Sequence, residues 1–493
     1  MNKFYITTPL YYVNADPHLG HAYTNIAADA LARYMRQVLG ENNVWFLTGT
    51  DEHGQKIQKV ALSMNLKPEE FVDKMVLKFK ELWQNLNISY NDFIRTTEDR
   101  HIRVVKKVLE ILYNKGELYL SEYQGWYCTP CETFWLDVSD NLCPDCHRPL
   151  EKISEMNYFF RLSKYQGWLL DYIEKNPNFI KPQTRYQEVL SFLRLNKLND
   201  LCISRPKERL SWGIDLPFSD KHVCYVWFDA LINYISAVGD FDKEGRYNSN
   251  WWPADIQLIG KDILRQHAVY WPIILHALGI EPPKSIFAHG WWMVGESKMS
   301  KSRGNIVSAL EIANQYGADV LRYFLLRQIP FGLDGEFSLD SLLKRYNFDL
   351  ANDLGNLVYR TVNMIEKYFS ARIPEVEDIK RPDTQMIFKK LEELKLKRNL
   401  LLEDLDFSKV LEGIWDLVNM LNKYIEDKKP WVLFKENKVE ELKRFIGTLV
   451  ETIREIATFL FPFMPKTADS ILDEFSSPHI KKKPPLFMRL NNI

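Results

Sequence analysis

The chain has 493 residues, room for about three domains at roughly 100–200 residues each. Hydrophobic residues make up 46% of it, enough to bury full cores and to exclude an intrinsically disordered chain. Its 64 basic and 65 acidic residues nearly cancel, which argues against a general polyanion binder while leaving room for a local basic surface facing a phosphate backbone.

The opening MNKFYITTPLYY carries no positive stretch followed by a long apolar run, so no signal peptide is expected. The longest apolar stretches, such as IATFLFPFM near 456–464, fall far short of the roughly 20 residues a spanning helix needs. The expectation is a soluble cytoplasmic protein with no membrane partner.

In chain order, Phe4 to Leu10 reads as a buried strand. Apolar residues then recur at helical spacing from Leu19 to about Leu39, and Gly40 stops the helix. Val44 to Thr48 is a second strand, followed by the polar turn from Gly49 to Gly54. Strand, helix, strand in this order predicts a parallel sheet in a nucleotide-binding, Rossmann-type α/β fold. The alternation breaks after about residue 118 and resumes near 225, so 119–224 reads as an insertion. Tyr225 to Phe228, Ile256 to Ile259 and Ser285 to His289 read as strands, and Asp262 to Leu278 as a helix. A polar loop near 295–305 precedes an almost wholly helical stretch from about 308 to 475, punctuated by Pro374, Pro382 and Pro430. The chain closes on a basic, proline-containing tail, KKKPPLFMRLNNI.

Four of the six cysteines cluster in the insertion, as Cys128-Thr-Pro-Cys131 and Cys143-Pro-Asp-Cys146. Two CxxC knuckles eleven residues apart suit one tetrahedral zinc. A redox CxxC or an iron–sulfur cluster is the alternative. Four thiolates leave no open coordination position, so the zinc is expected to be structural, and His147 beside the last cysteine is a bystander.

Two further motifs carry nucleotide chemistry. His18-Leu19-Gly20-His21 lies at the start of the first helix, where free N–H groups and the positive dipole end suit phosphate. The two histidines share a helix face, and Gly20 lets a flat base lie against the backbone. Lys298-Met299-Ser300-Lys301-Ser302, followed by Arg303, Gly304 and Asn305, reads as a cationic loop able to stabilise charge building on a triphosphate. Either motif alone is compatible with ordinary surface residues; both in this order, around an inserted module, are not.

The pair resembles the two signatures of class I aminoacyl-tRNA synthetases, with HLGH in place of the usual HIGH. The words TTPLYYVNADPHLGH, LTGTDEHGQK, YVWFDALINY, IGKDILRQH and FAHGWWMVGESKMSKSRGN narrow the resemblance to the methionyl-tRNA synthetases, from residue 3 to about 470. The resemblance implies a catalytic domain in two halves, 1–118 and 225–290, split by a connective insertion at 119–224 with its knuckle at 128–146. It further implies a loop and stem-contact region at 291–345, a helical anticodon-binding domain at 346–475 and a basic tail at 476–493.

By the same resemblance, His18, His21, Lys298 and Lys301 are catalytic. ATP is bound by His18, Gly20, His21, Asp262, Lys298, Ser300, Lys301 and Ser302, with Mg²⁺ on its phosphates. A methionine pocket is lined by Leu10, Tyr12, Trp227, Ala230, Tyr234, Ile263 and His267, and Asp51 binds the amino group. Relatives often carry Ala where this chain has Pro9. Asn356, Arg360 and Trp431 match positions that read the CAU anticodon of initiator and elongator methionine tRNAs. The implied reaction is two-step: methionine and ATP form methionyl-adenylate and pyrophosphate, and the 2′-OH of the terminal tRNA adenosine then takes the methionine.

Sister ligases for valine, leucine or isoleucine usually carry a large editing insertion, for which 119–224 has no room. A non-catalytic RNA-binding relative is disfavoured by two intact signatures, and a zinc hydrolase by four cysteine ligands. Some relatives continue into an oligonucleotide-binding module; its absence leaves either a monomer or a separate tRNA-binding subunit in trans as the expectation.

Overall fold

The structure, a computed structural model, describes residues 3–135, 138, 140–144, 146–294, 297–298, 307–376, 379–480 and 483–490, with backbone alone at 297–298. The chain divides into two compact units. One comprises residues 1–17, 35–84 and 89–290, the other 18–34, 85–88 and 291–493.

The first unit is built on a seven-stranded sheet running Tyr11–Tyr12, Val44–Asp51, Phe4–Thr7, Ile256–Gly260, Ile286–His289 and Ile180–Lys181, with Asp92–Arg95 also paired to Val44–Asp51. Every pairing is parallel. Strands covered on both faces read as continuous apolar runs, as the buried FYIT and VWFL segments do. The chain departs in opposite directions from the central pair Phe4–Thr7 and Ile256–Gly260. Their carboxyl ends therefore flank the topological switch point, where open α/β sheets bind ligands. A long antiparallel hairpin, Leu118–Cys128 against Glu151–Phe160, holds register from Leu118↔Phe160 to Tyr127↔Glu151 and carries the cysteines towards its tip. Ile180–Lys181, inside the stretch read as an insertion, joins the main sheet through Ile286–His289.

The second unit is mainly helical. Asn356–Phe369, Phe407–Lys428 and Val439–Leu460 each bury an apolar stripe, the pattern of a helix packed by one face, whereas Ala318–Arg327 is buried all round from Asp319 to Leu326. Ser308, Ser338 and Asp406 cap their helices by accepting the first-turn N–H of Glu311, Ser341 and Lys409. Arg322 is fully buried, 2.7 Å from Asp29, and donates to the carbonyls of Leu86, Pro462 and Phe463; its charge and donors are thus largely answered inside the core. The tail docks: Leu490 and Asn347 exchange two hydrogen bonds, and Phe487 meets Tyr346 edge-on.

Two expected elements differ. Tyr225–Phe228 does not form a strand; Val226–Leu231 is a helix. A short apolar run has no period that separates strand from buried helix. The helix expected over Asp262–Leu278 is instead a 3₁₀ turn, Lys261–Ile263, a π segment, Gln266–Tyr270, and an α-helix, Trp271–Leu278. Pro272 lacks the N–H that would bond residue 268, so the ladder widens just before it.

Candidate functional site

Several residues expected to line a methionine pocket lie at or just beyond the carboxyl ends of strands in the first unit's sheet. Tyr12 follows the opening strand, Asp51 ends Val44–Asp51, and Ile263 lies just beyond Ile256–Gly260. Trp227 and Ala230 come from the helix Val226–Leu231, and Tyr234 from Asn233–Ser236. Trp227 and Ala230, three residues apart, share a face of the first of these helices, and Tyr234 follows on the next. Leu10 packs against Gly49, where an added Cβ would stand 2.8 Å from its Cδ2.

His267 Nδ1 lies 2.9 Å from the Ile263 carbonyl, which can only accept, so the ring proton is on Nδ1. Nε2 then accepts from the Tyr234 hydroxyl at 2.7 Å. Burial lowers His267 to about 4, so the ring is neutral at physiological pH. Tyr234 is fixed in turn by the Tyr5 hydroxyl, which donates to its carbonyl at 2.9 Å.

Asp51 and Glu52 are adjacent buried acids with opposite fates. Glu52 accepts a two-pronged bond from Arg95, at 2.7 and 2.9 Å, and hydroxyl bonds from Thr50 and Thr97. Asp51 has no such set, and its Oδ1 is buried without a hydrogen-bond partner among the described residues. Burial, then the charges of Asp229, Glu132 and Glu52, push its carboxyl well above the ordinary range. A cation arriving at Asp51 would reverse both penalties.

Sequence reasoning missed several buried acids and histidines of the same unit. Asp229 is fully buried between His53 Nδ1 and His101 Nε2, each at 2.7 Å. Burial opposes its ionisation, but the two imidazoles overcome it and hold the carboxyl below its ordinary value. Glu132, between two zinc-type cysteines in sequence, accepts from Tyr12, Tyr127 and the Lys56 N–H. His53 and Asp229 stood inside quoted words, DEHG and WFDA, but no spacing rule pairs residues 176 apart.

The four cysteines converge, with all Sγ atoms within 4.8 Å of one another. Cys128 and Cys146 lie 3.6 Å apart, Cys131 and Cys143 4.0 Å. Four thiolates about 2.3 Å from a tetrahedral zinc stand about 3.8 Å from one another, so the set fits a metal of that kind. Hydrogen bonding from the neighbouring thiols, Cys131 first, draws Cys128 down to about 6 and pushes the proton onto Cys131, whose thiol rises. Thiolate character is what a metal site requires.

The first signature lies in the second unit. His18 Nδ1 accepts from the Gly20 N–H at 3.1 Å, and His21 Nδ1 from the His18 N–H at 3.2 Å. Both neutral rings therefore carry their proton on Nε2, and they stack with centroids 3.8 Å apart. A Cβ at Gly20 would stand 3.0 Å from the His18 ring, a tight approach that the glycine relieves. Leu19 donates its N–H to the Val307 carbonyl at 3.2 Å, tying the first signature to the residue just beyond the second. Lys298 pairs through its backbone with Met293; Ser300, Lys301 and Ser302 lie outside the described residues. Asp262 sits exposed beside Gly260. Asn356 and Arg360 lie one turn apart near the start of Asn356–Phe369, and Trp431 is 44% exposed at the start of Pro430–Lys435.

Over residues 4–155 and 148–362 the chain matches the family described as tRNA synthetases class I (M), and over 384–489 the anticodon-binding domain of tRNA ligase. A parallel sheet, the HLGH signature and a helical anticodon-binding region in this chain define a class I aminoacyl-tRNA synthetase. The methionine–tRNA ligases of Clostridium tetani and Clostridium acetobutylicum are 49% and 48% identical to the chain, over 97% and 95% of it and 74% and 72% of their own lengths. Mycobacterium tuberculosis methionyl-tRNA synthetase in complex with methionyl-adenylate matches with a TM-score of 0.93 at 37% identity, covering 99% of this chain and 100% of that one. The chain belongs to the methionine–tRNA ligases, ATP-dependent enzymes that join methionine to tRNA.

Proposed function

We propose that Asp51 holds the ammonium of methionine while Leu10, Tyr12, Trp227, Ala230, Tyr234, Ile263 and His267 enclose its side chain. The observation that carries this is the Asp51 oxygen that is buried without a hydrogen-bond partner among the described residues, with the neutral His267 among the residues assigned to the wall. A neutral, polarisable wall suits a thioether and offers no partner to a charged side chain. With the ammonium held, the substrate carboxylate attacks the ATP α-phosphate and pyrophosphate leaves. The enzyme supplies position and charge rather than a nucleophile. His18 and His21, each with its proton on Nε2, donate to phosphate oxygens, and Lys298 and Lys301 add positive charge. Gly20 and Asp262 receive the adenosine, Asp262 by its exposed carboxylate, and Ser300 and Ser302 contact the phosphates. Mg²⁺ carried by ATP neutralises charge on the phosphates when bound.

The 2′-OH of the terminal adenosine of initiator and elongator tRNAs then displaces AMP. Asn356 and Arg360 hydrogen-bond CAU anticodon bases, and exposed Trp431 offers a stacking face. The cysteine set holds one structural zinc that stiffens the hairpin tip. We assign 1–118 and 225–290 to the two catalytic halves, 119–224 to the connective insertion, 291–345 to the loop and stem-contact region, 346–475 to anticodon binding and 476–493 to the tail. No described helix is long and apolar enough to cross a membrane, and we place the enzyme with translation in the cytoplasm, with a trans-acting tRNA-binding subunit as one partner to seek.

The test is ATP–pyrophosphate exchange with each common amino acid, without tRNA. Exchange with methionine alone is expected; exchange driven by another amino acid, or none from folded, zinc-loaded protein, overturns the reading.

A further inference from the structure

Glu132 directly follows the metal-type ligand Cys131 and is buried, with a left-handed backbone at φ 52. Its carboxylate holds three elements at once. Oε2 accepts from the hydroxyl of Tyr127, the residue before Cys128, and so closes the first CxxC loop from behind. Oε1 accepts from the Lys56 N–H at 2.8 Å, an otherwise unanswered donor in the first turn of Gln55–Ser63. The same oxygen accepts from the Tyr12 hydroxyl at 3.2 Å. The Glu132 carbonyl accepts from the Tyr225 hydroxyl, just before the helix that carries Trp227 and Ala230. Gly54 allows this approach: a Cβ there would stand 2.6 Å from the Tyr12 hydroxyl and 3.1 Å from Glu132 Oε1.

We propose that Glu132 is a positioning residue that couples the four-cysteine metal knuckle to the methionine pocket, so that metal and methionine stabilise each other's binding. The knuckle sets the backbone at 131–132, the carboxylate sets Tyr12, and Tyr12 is one wall of the pocket. This rests on the reading that Tyr12 lines that pocket. Because such coupling is reciprocal, whatever the metal does for methionine affinity, methionine does for metal retention.

The experiment uses the full chain loaded with zinc. Transfer of zinc to a chromogenic chelator is timed with and without saturating methionine, and methionine and ATP KM values are taken from pyrophosphate exchange. Methionine should slow zinc loss several-fold in the native protein. Glu132→Ala should abolish that protection and raise the methionine KM about tenfold, the scale of one lost buried hydrogen bond, with the ATP KM unchanged. Glu132→Gln, which keeps an oxygen acceptor, should recover most of both effects. Should Glu132→Ala fail to fold or to load zinc, Tyr12→Phe serves instead, since it removes only the hydroxyl and should also abolish the protection. Zinc loss indifferent to methionine in the native protein, or protection that survives Tyr12→Phe, overturns the coupling. Tyr12→Ala separates the two readings: an unchanged methionine KM there refutes Tyr12 as a pocket wall, whereas a raised one alongside zinc that saturating methionine still protects refutes the link alone.

Discussion

Replacing Asp51 by Asn should move stability and substrate binding in opposite directions. In the ligand-free protein Asp51 is a buried acid whose carboxyl is raised by desolvation and by Asp229, Glu132 and Glu52. A raised folded-state pKa means stability that is full below the unfolded value of 3.8 and lost as pH rises through the folded value. At neutral pH the carboxylate therefore costs stability, and the near-isosteric amide removes that cost, so the Tm should rise. Methionine binding responds the other way. An ammonium about 3 Å from a carboxylate gains about 5 kcal/mol at an effective dielectric of 20, and removing one partner of a buried pair costs about 2–5 kcal/mol. A net loss near 3 kcal/mol is about a hundredfold in the methionine KM. Pyrophosphate exchange at varied methionine, with ATP saturating, reads the KM, and thermal melting reads the stability. The native enzyme should also lose methionine affinity as pH falls through the raised Asp51 pKa, and the variant should not. A KM change under threefold, or a fall of several degrees in Tm, would refute the assignment.

Tyr234→Phe strands His267 Nε2 in the core and should cost about 1–3 kcal/mol of stability, read by denaturant unfolding. His267, lowered from 6.5 to about 4 in the folded protein, favours folding fully above about pH 6.5, and that contribution is lost as pH falls towards about 4; acid unfolding should show a component in that window. His21→Ala should lower kcat for exchange about a hundredfold and leave the methionine KM in place, as expected of a donor that acts on developing charge. Trp431→Ala should raise the tRNA KM about tenfold, as for one lost stacking contact, with tRNA-free exchange untouched.

Much was legible because the determinants are local. The Leu19–Leu39 helix and four of the seven strands of the parallel sheet follow from periodicity and apolar runs, while the short strands at 11–12, 92–95 and 180–181 do not, and the CxxC pair needs only spacing to announce its convergence. Local rules failed where a neighbour decides the outcome. Val226–Phe228 is helical, with extended Tyr225 as the cap and Phe228 buried in the first unit's core, and the widened turn before Trp271 precedes a proline that lacks the donor N–H.

The chain order of residues thus sufficed for the fold class and for the convergence of the four cysteines, since each depends largely on short-range patterns of residues. How each acid of the Asp51–Glu52 pair is partnered, and which histidines Asp229 meets, was settled by folding alone. Arg95 reaches Glu52 across 43 residues, and His53 reaches Asp229 across 176. A buried charge is defined by the partners that three-dimensional packing brings to it, and their identity is written nowhere in its own stretch of chain.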